Sequence, residues 1–72
     1  MTTMMRKETL QRLAALVAQL EEDKQELLRL RFTAGLTYRQ IGTILGRSEG
    51  AVKMSMRRLL HRLEAELEDT NG

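Results

Sequence analysis

Apolar residues recur along this 72-residue chain at three- and four-residue intervals in four runs, the spacing of helices that each bury one face. The first run is Leu10, Leu13, Leu16 or Val17, and Leu20, with Thr9 placed to cap it. Glu21, Glu22 and Asp23 follow. Three like charges are unfavourable inside a helix but suit the first turn of a new one, where they meet the positive end of its dipole. That places a break near Leu20 to Glu22, although no proline or glycine stands there and the two helices can also run on as one. The second run holds Leu27, Leu28, Leu30 and Phe32 and stops at Gly35.

The third and fourth runs have sharper ends. Thr37 can cap a helix whose Gln40 returns the bond, and Leu36 and Ile41 stand where a hydrophobic staple closes over the cap. Gly46 follows the apolar positions Ile41, Ile44 and Leu45 and suits the left-handed residue at a helix C-terminus. Ser48 is a good N-cap for the next helix, with Glu49 in its first turn. Two helices around a short glycine-containing turn form the helix-turn-helix pattern. The last helix can persist to about Leu67, roughly 30 Å at 1.5 Å per residue. The expected architecture is all-α: a small four-helix domain over residues 9–68 with a C-terminal helix-turn-helix, a flexible lead-in over 1–8 and a disordered tail over 69–72.

On the last helix Val52, Met56, Leu59, Leu63 and Leu67 share one stripe, while Gly50, Lys53, Met54 and Arg57 share another face near its start. The second face suits a DNA major groove, because Gly50 and Ala51 leave room for close approach. Charge strengthens this reading. The net charge is only +2, but from Thr37 to Arg62 six cations (Arg39, Arg47, Lys53, Arg57, Arg58, Arg62) stand against Glu49 alone. Glu64, Glu66, Glu68 and Asp69 then reverse the sign. Positive charge gathered on the helix-turn-helix is what phosphate binding requires.

Composition excludes several classes. There is no cysteine, so no disulfide or thiolate metal site, and the lone His61 cannot build an imidazole site. No cofactor or metal is expected, and an enzyme is improbable, since His61 has no assured carboxylate partner and Ser48 is explained by capping. No apolar run reaches the roughly 20 residues of a membrane span. A cytoplasmic location is expected. With Phe32 and Tyr38 the only aromatics, a base-stacking platform is disfavoured.

From Leu20 to Leu63 the chain resembles region four of bacterial sigma factors of the extracytoplasmic-function type. The resemblance is carried by Leu20, Leu27-Leu28-Arg29-Leu30-Arg31-Phe32, Gly35-Leu36-Thr37-Tyr38-Arg39-Gln40-Ile41-Gly42, Leu45-Gly46 and Ser48-Glu49-Gly50-Ala51-Val52-Lys53, with Arg58 and Leu63 at a basic and an apolar family position. It implies a four-helix domain whose last helix reads the promoter minus-thirty-five element, which docks on the flap of the RNA polymerase beta subunit and which anti-sigma proteins cover. Lys53, Met54, Arg57 and Arg58 then fall at base- and phosphate-contacting positions. Tyr38 and Arg39 open the helix that touches the backbone, Arg47 is a phosphate candidate in the turn, and Ser48 and Gly50 complete the DNA-binding set.

The departures are Met54, Ser55, Leu59 and Leu60, where family members often have Ser, Arg, Ala and Arg. Two fewer cations weaken the phosphate contribution. Met54, on the presumed DNA face, is suited to touching a thymine methyl. The added leucines either deepen the core or offer a surface to a partner helix or a second copy.

Nothing here resembles the promoter-melting domain of a complete sigma factor, which leaves an excised C-terminal domain or a free-standing relative. Promoter-type duplex binding leads, and a helix-binding interaction module is the alternative. In that module the groove between the Leu10 to Leu20 helix and the Leu27 to Phe32 helix, with Leu13, Leu16, Leu20, Leu27 and Leu60 as contact residues, would receive a helix from polymerase, an anti-sigma protein or a second copy. A response-regulator effector domain fits less well, because that family usually places a histidine where this chain has Ser55.

Overall fold

The computed structural model describes residues 6–71, which fold into four α-helices with no strand among them. Helix α1 spans Lys7–Ala18, α2 Glu22–Leu28, α3 Tyr38–Leu45 and α4 Glu49–Asn71, within 38 × 25 × 18 Å. The four-helix, helix-turn-helix architecture expected from the sequence is the one found.

The two ends differ from expectation. Thr9 is not a cap: α1 starts at Lys7, because the Arg6 carbonyl already accepts from the Leu10 N–H at 2.9 Å, and Glu8 favours the first turn. Residues 6–8 are thus outside any lead-in, and residues 1–5 lie outside the described ones. At the other end no glycine or proline intervenes before Gly72, and α4 continues to Asn71, past Leu67.

Helices α1 and α2 are separate. The break falls where the acidic cluster predicted it, with Glu21 at the N-cap and Glu22 and Asp23 in the first turn of α2. No glycine is needed because Gln25 Nε2 donates back to the carbonyls of Val17 (2.8 Å) and Ala18 (3.2 Å), satisfying the end of α1. Leu20, at the elbow, enters the core. Arg62 of α4 braces the same elbow through Glu21 (3.3 Å) and reaches Glu66 at 3.6 Å. A hydrogen bond from the backbone at Glu21, and then Arg62, hold the Glu21 carboxyl below the usual carboxylate range. The pair therefore supports the fold at neutral pH and is lost on acidification, as pH falls through that lowered value.

Helix α2 widens into a π-helical turn over Arg29–Thr33, where the Ala34 N–H reaches the Arg29 carbonyl (2.9 Å). It closes with Gly35 at φ 71° and the Leu36 N–H on the Leu30 carbonyl. The extra residue in this turn rotates Phe32 out of the apolar stripe predicted for it, leaving it 63% exposed.

The core holds Leu20, Leu27, Ile41, Val52, Met56, Leu59 and Leu63. Four of these seven come from α4, whose predicted stripe is buried as far as Leu63, with Leu67 half-buried. Helix α3 packs on the first half of this spine through Ile41, while its other apolar positions, Ile44 and Leu45, face outward.

Leu63 is 5% exposed. Leu63→Ala is expected to destabilise the fold by about 2–5 kcal/mol in urea unfolding, and a wild-type midpoint would place Leu63 outside the core.

Candidate nucleic-acid interface

Short-range hydrogen bonds set the angle between α3 and α4. At the start of α3 the Gln40 N–H donates to Thr37 Oγ1 (3.1 Å) and the Thr37 N–H to Gln40 Oε1 (2.9 Å), the reciprocal box expected from the sequence. The chain reverses at Gly46, φ 68°, and the Arg47 N–H closes on the Gly42 carbonyl at 2.8 Å. Ser48 Oγ then accepts from the Ala51 N–H at 3.1 Å and caps α4. Ser48, placed in the DNA-binding set, thus has a structural task at the helix start.

Gly42 has a role that periodicity does not reveal. It is buried, and a Cβ there would overlap the Arg47 carbonyl oxygen. The absent side chain lets the turn close directly over α3, which brings the start of α4 alongside it.

Burial of Val52, Met56, Leu59 and Leu63 turns the opposite side of α4 to solvent. Gly50, Lys53, Met54, Arg57 and Arg58 are all exposed there, as the spacing predicted, and Arg39 is exposed at the start of α3. None of Arg39, Lys53, Arg57 and Arg58 forms an ion pair among the described residues. By contrast Arg29 pairs with Glu26 (2.7 Å) and Arg62 with Glu21 and Glu66. The cations on this face keep their charge available.

Two residues expected at the DNA also make contacts within the domain. The half-buried Tyr38 ring lies beneath the Arg31 guanidinium, 4.5 Å from its centroid, and Arg31 also donates to the Leu36 carbonyl (2.9 Å). Tyr38 thus packs the entry to α3. Arg47 folds back along α4, donating from Nη2 to Ser55 Oγ (2.6 Å) and the Ala51 carbonyl (3.3 Å). Ser55 therefore anchors a guanidinium on the flank of α4, a tie between residues eight apart that spacing alone did not expose.

A groove does run between the first two helical segments, but its lining differs from the expected set. Leu20 and Leu27 are core residues, covered by this domain's own helices, and Leu13 and Leu16 are half-buried. Leu60 does not deepen the core: it is 40% exposed and opens onto an apolar groove between α1, the α2 segment and the second half of α4. Leu13 lines that groove with Leu10, Val17, Phe32 and Leu67, which were not assigned to it. The exposed Phe32 follows from the π-helical turn, which left no mark in the apolar spacing.

Among the described residues no three His, Asp or Glu side chains gather to hold a metal, and no helix is long and apolar enough to cross a membrane.

Comparison with known proteins bears on this geometry directly. The family model for sigma-70, region 4 matches residues 16–65, which takes in the last three residues of α1, all of α2 and α3, and α4 through its buried stripe. The chain belongs to the sigma-70 region 4 family. This region 4 domain is 48% identical over 50 residues to the ECF RNA polymerase sigma factor ShbA of Streptomyces griseus subsp. griseus. That match covers 69% of this chain and 26% of the relative, so the chain corresponds to about a quarter of that protein. No solved structure matches the chain.

In this region 4 domain the Gly42 contact predicts that Gly42→Ala lowers thermal stability by about 1–3 kcal/mol, since neither backbone can yield cheaply. An unchanged melting temperature would show that the turn does not need the close approach.

Proposed function

We propose that this region 4 domain binds duplex promoter DNA of the minus-thirty-five type, with the first half of α4 in the major groove. The observation that carries the reading is the outward cationic face of Lys53, Arg57 and Arg58 on a capped helix, unpaired among the described residues, with Arg39 also exposed at the start of α3. Ser48 satisfies the helix start, Gly50 and Ala51 leave it slim, and the long cations beyond them reach base edges and phosphates. The relative's name describes an RNA polymerase sigma factor, which favours a role in transcription initiation for this domain as well.

A second contact is compatible with the first. The apolar groove with Leu10, Phe32 and Leu60 at its surface lies on α1, the π-helical turn and α4 from Leu60 onward, whereas the cationic face lies before Leu60 on α4. It suits an apolar helix, and the polymerase beta flap is the partner proposed for it. Salt separates the two contacts, because phosphate binding releases counterions and apolar burial does not.

Selection from a randomised duplex library at two salt concentrations is expected to enrich a short motif with salt-sensitive affinity. Arg58→Ala should then weaken binding to that motif and flatten the log–log salt slope by about 1. Unchanged affinity and slope would assign the interface to another face. Leu60→Glu is expected to abolish binding of a flap-derived helix while leaving the selected duplex bound as before; loss of duplex binding instead would merge the two surfaces.

A further inference from the structure

Gly50 is a glycine the fold does not ask for. It lies in the first turn of α4 with φ outside the left-handed region, it is exposed, and a Cβ built on it would meet nothing within 4 Å. Alanine would fit there and favour the helix, because glycine loses more backbone freedom on ordering. A bare helix surface retained against propensity suits a ligand that approaches the backbone closely.

Met54 stands one turn further on the same face. Helical side chains lean toward the N-terminus, so Met54 borders the open patch at Gly50 without covering it: no side chain comes within 4 Å of where a Gly50 Cβ would stand. The contrast with Met56 is informative: Met56 is 1% exposed and fills the core, whereas Met54 is 48% exposed. An apolar side chain is thus held in water in the middle of a basic face, between Lys53 and the Arg57–Arg58 pair. On duplex DNA the cations have phosphates and purine acceptors to meet, but a thioether offers no strong donor or acceptor. The apolar group a base edge presents in the major groove is the thymine 5-methyl.

Resting on the duplex-binding proposal, we infer that Gly50 and Met54 form an apolar subsite that reads the 5-methyl group of a thymine in the bound sequence. Gly50 supplies the floor and Met54 the adjustable wall, whose unbranched side chain can follow the methyl without a fixed rotamer. Lys53, Arg57 and Arg58 hold the duplex against it.

The test replaces each thymine of the selected duplex in turn by deoxyuridine, which removes the methyl and leaves pairing intact. At one position the wild-type chain should lose about 4-fold in affinity, the value expected for one buried methyl. Met54→Ser should bind the thymine and deoxyuridine duplexes equally well. Gly50→Ala should melt at a higher temperature than wild type and yet bind the selected duplex more weakly, a dissociation that a purely structural glycine would not give. A selected motif without thymine, indifference to deoxyuridine at every position, or equal methyl sensitivity in Met54→Ser each overturns the inference while leaving duplex binding intact. Failure to select any duplex overturns both readings.

Discussion

The burial of one stripe of α4, Val52, Met56, Leu59 and Leu63, is the constraint on which the other parts of this domain depend. A chain of this size has material for one core, and here a single long helix supplies more than half of it. Helix α3 fixes the rotation of the first half through Ile41, and the elbow between α1 and α2 closes the second half through Leu20 and Leu27. Because that stripe is buried, the side bearing Gly50, Met54 and Arg57 can only face outward. The proposed interface is therefore the reverse side of the core.

Electrostatics divides the helix lengthwise. Toward its second half Arg62 is neutralised by Glu21 and Glu66, a pair of contacts that braces the elbow and, being exposed, contributes modestly. Toward its first half Lys53, Arg57 and Arg58 have no acidic partner among the described residues. Arg47 is intermediate, with part of its guanidinium tied to Ser55 and the Ala51 carbonyl. A cation fixed in this way gives up contact with the helix only at a cost, but it loses less side-chain freedom if a phosphate arrives.

The elements most legible in the sequence are those set by interactions a few residues long. Thr37 with Gln40, Gly46 and Ser48 each announce a helix end through local chemistry, and each is found doing so. Features made by distant residues were less accessible. The end of α1 depends on Gln25 reaching back across the elbow, and Gly42 is required by a turn that closes over it. Periodicity identified Leu20 and Leu27 as apolar positions but could not tell a surface covered by the same chain from one left for a partner. Phe32 leaves the apolar stripe because a π-helical turn adds a residue without altering composition, and the contacts of Tyr38 with Arg31 and of Arg47 with Ser55 join residues too far apart for spacing to show.

The central claim is that the exposed first half of α4, not the apolar groove beyond it, meets the duplex. Backbone amide shifts of the isotope-labelled chain, followed by NMR as a selected duplex is added, address this directly. The account predicts that the largest changes fall on Arg39 and on residues 49–58, with the groove around Leu10, Phe32 and Leu60 little affected. Changes concentrated in that groove, with the first half of α4 silent, would contradict it.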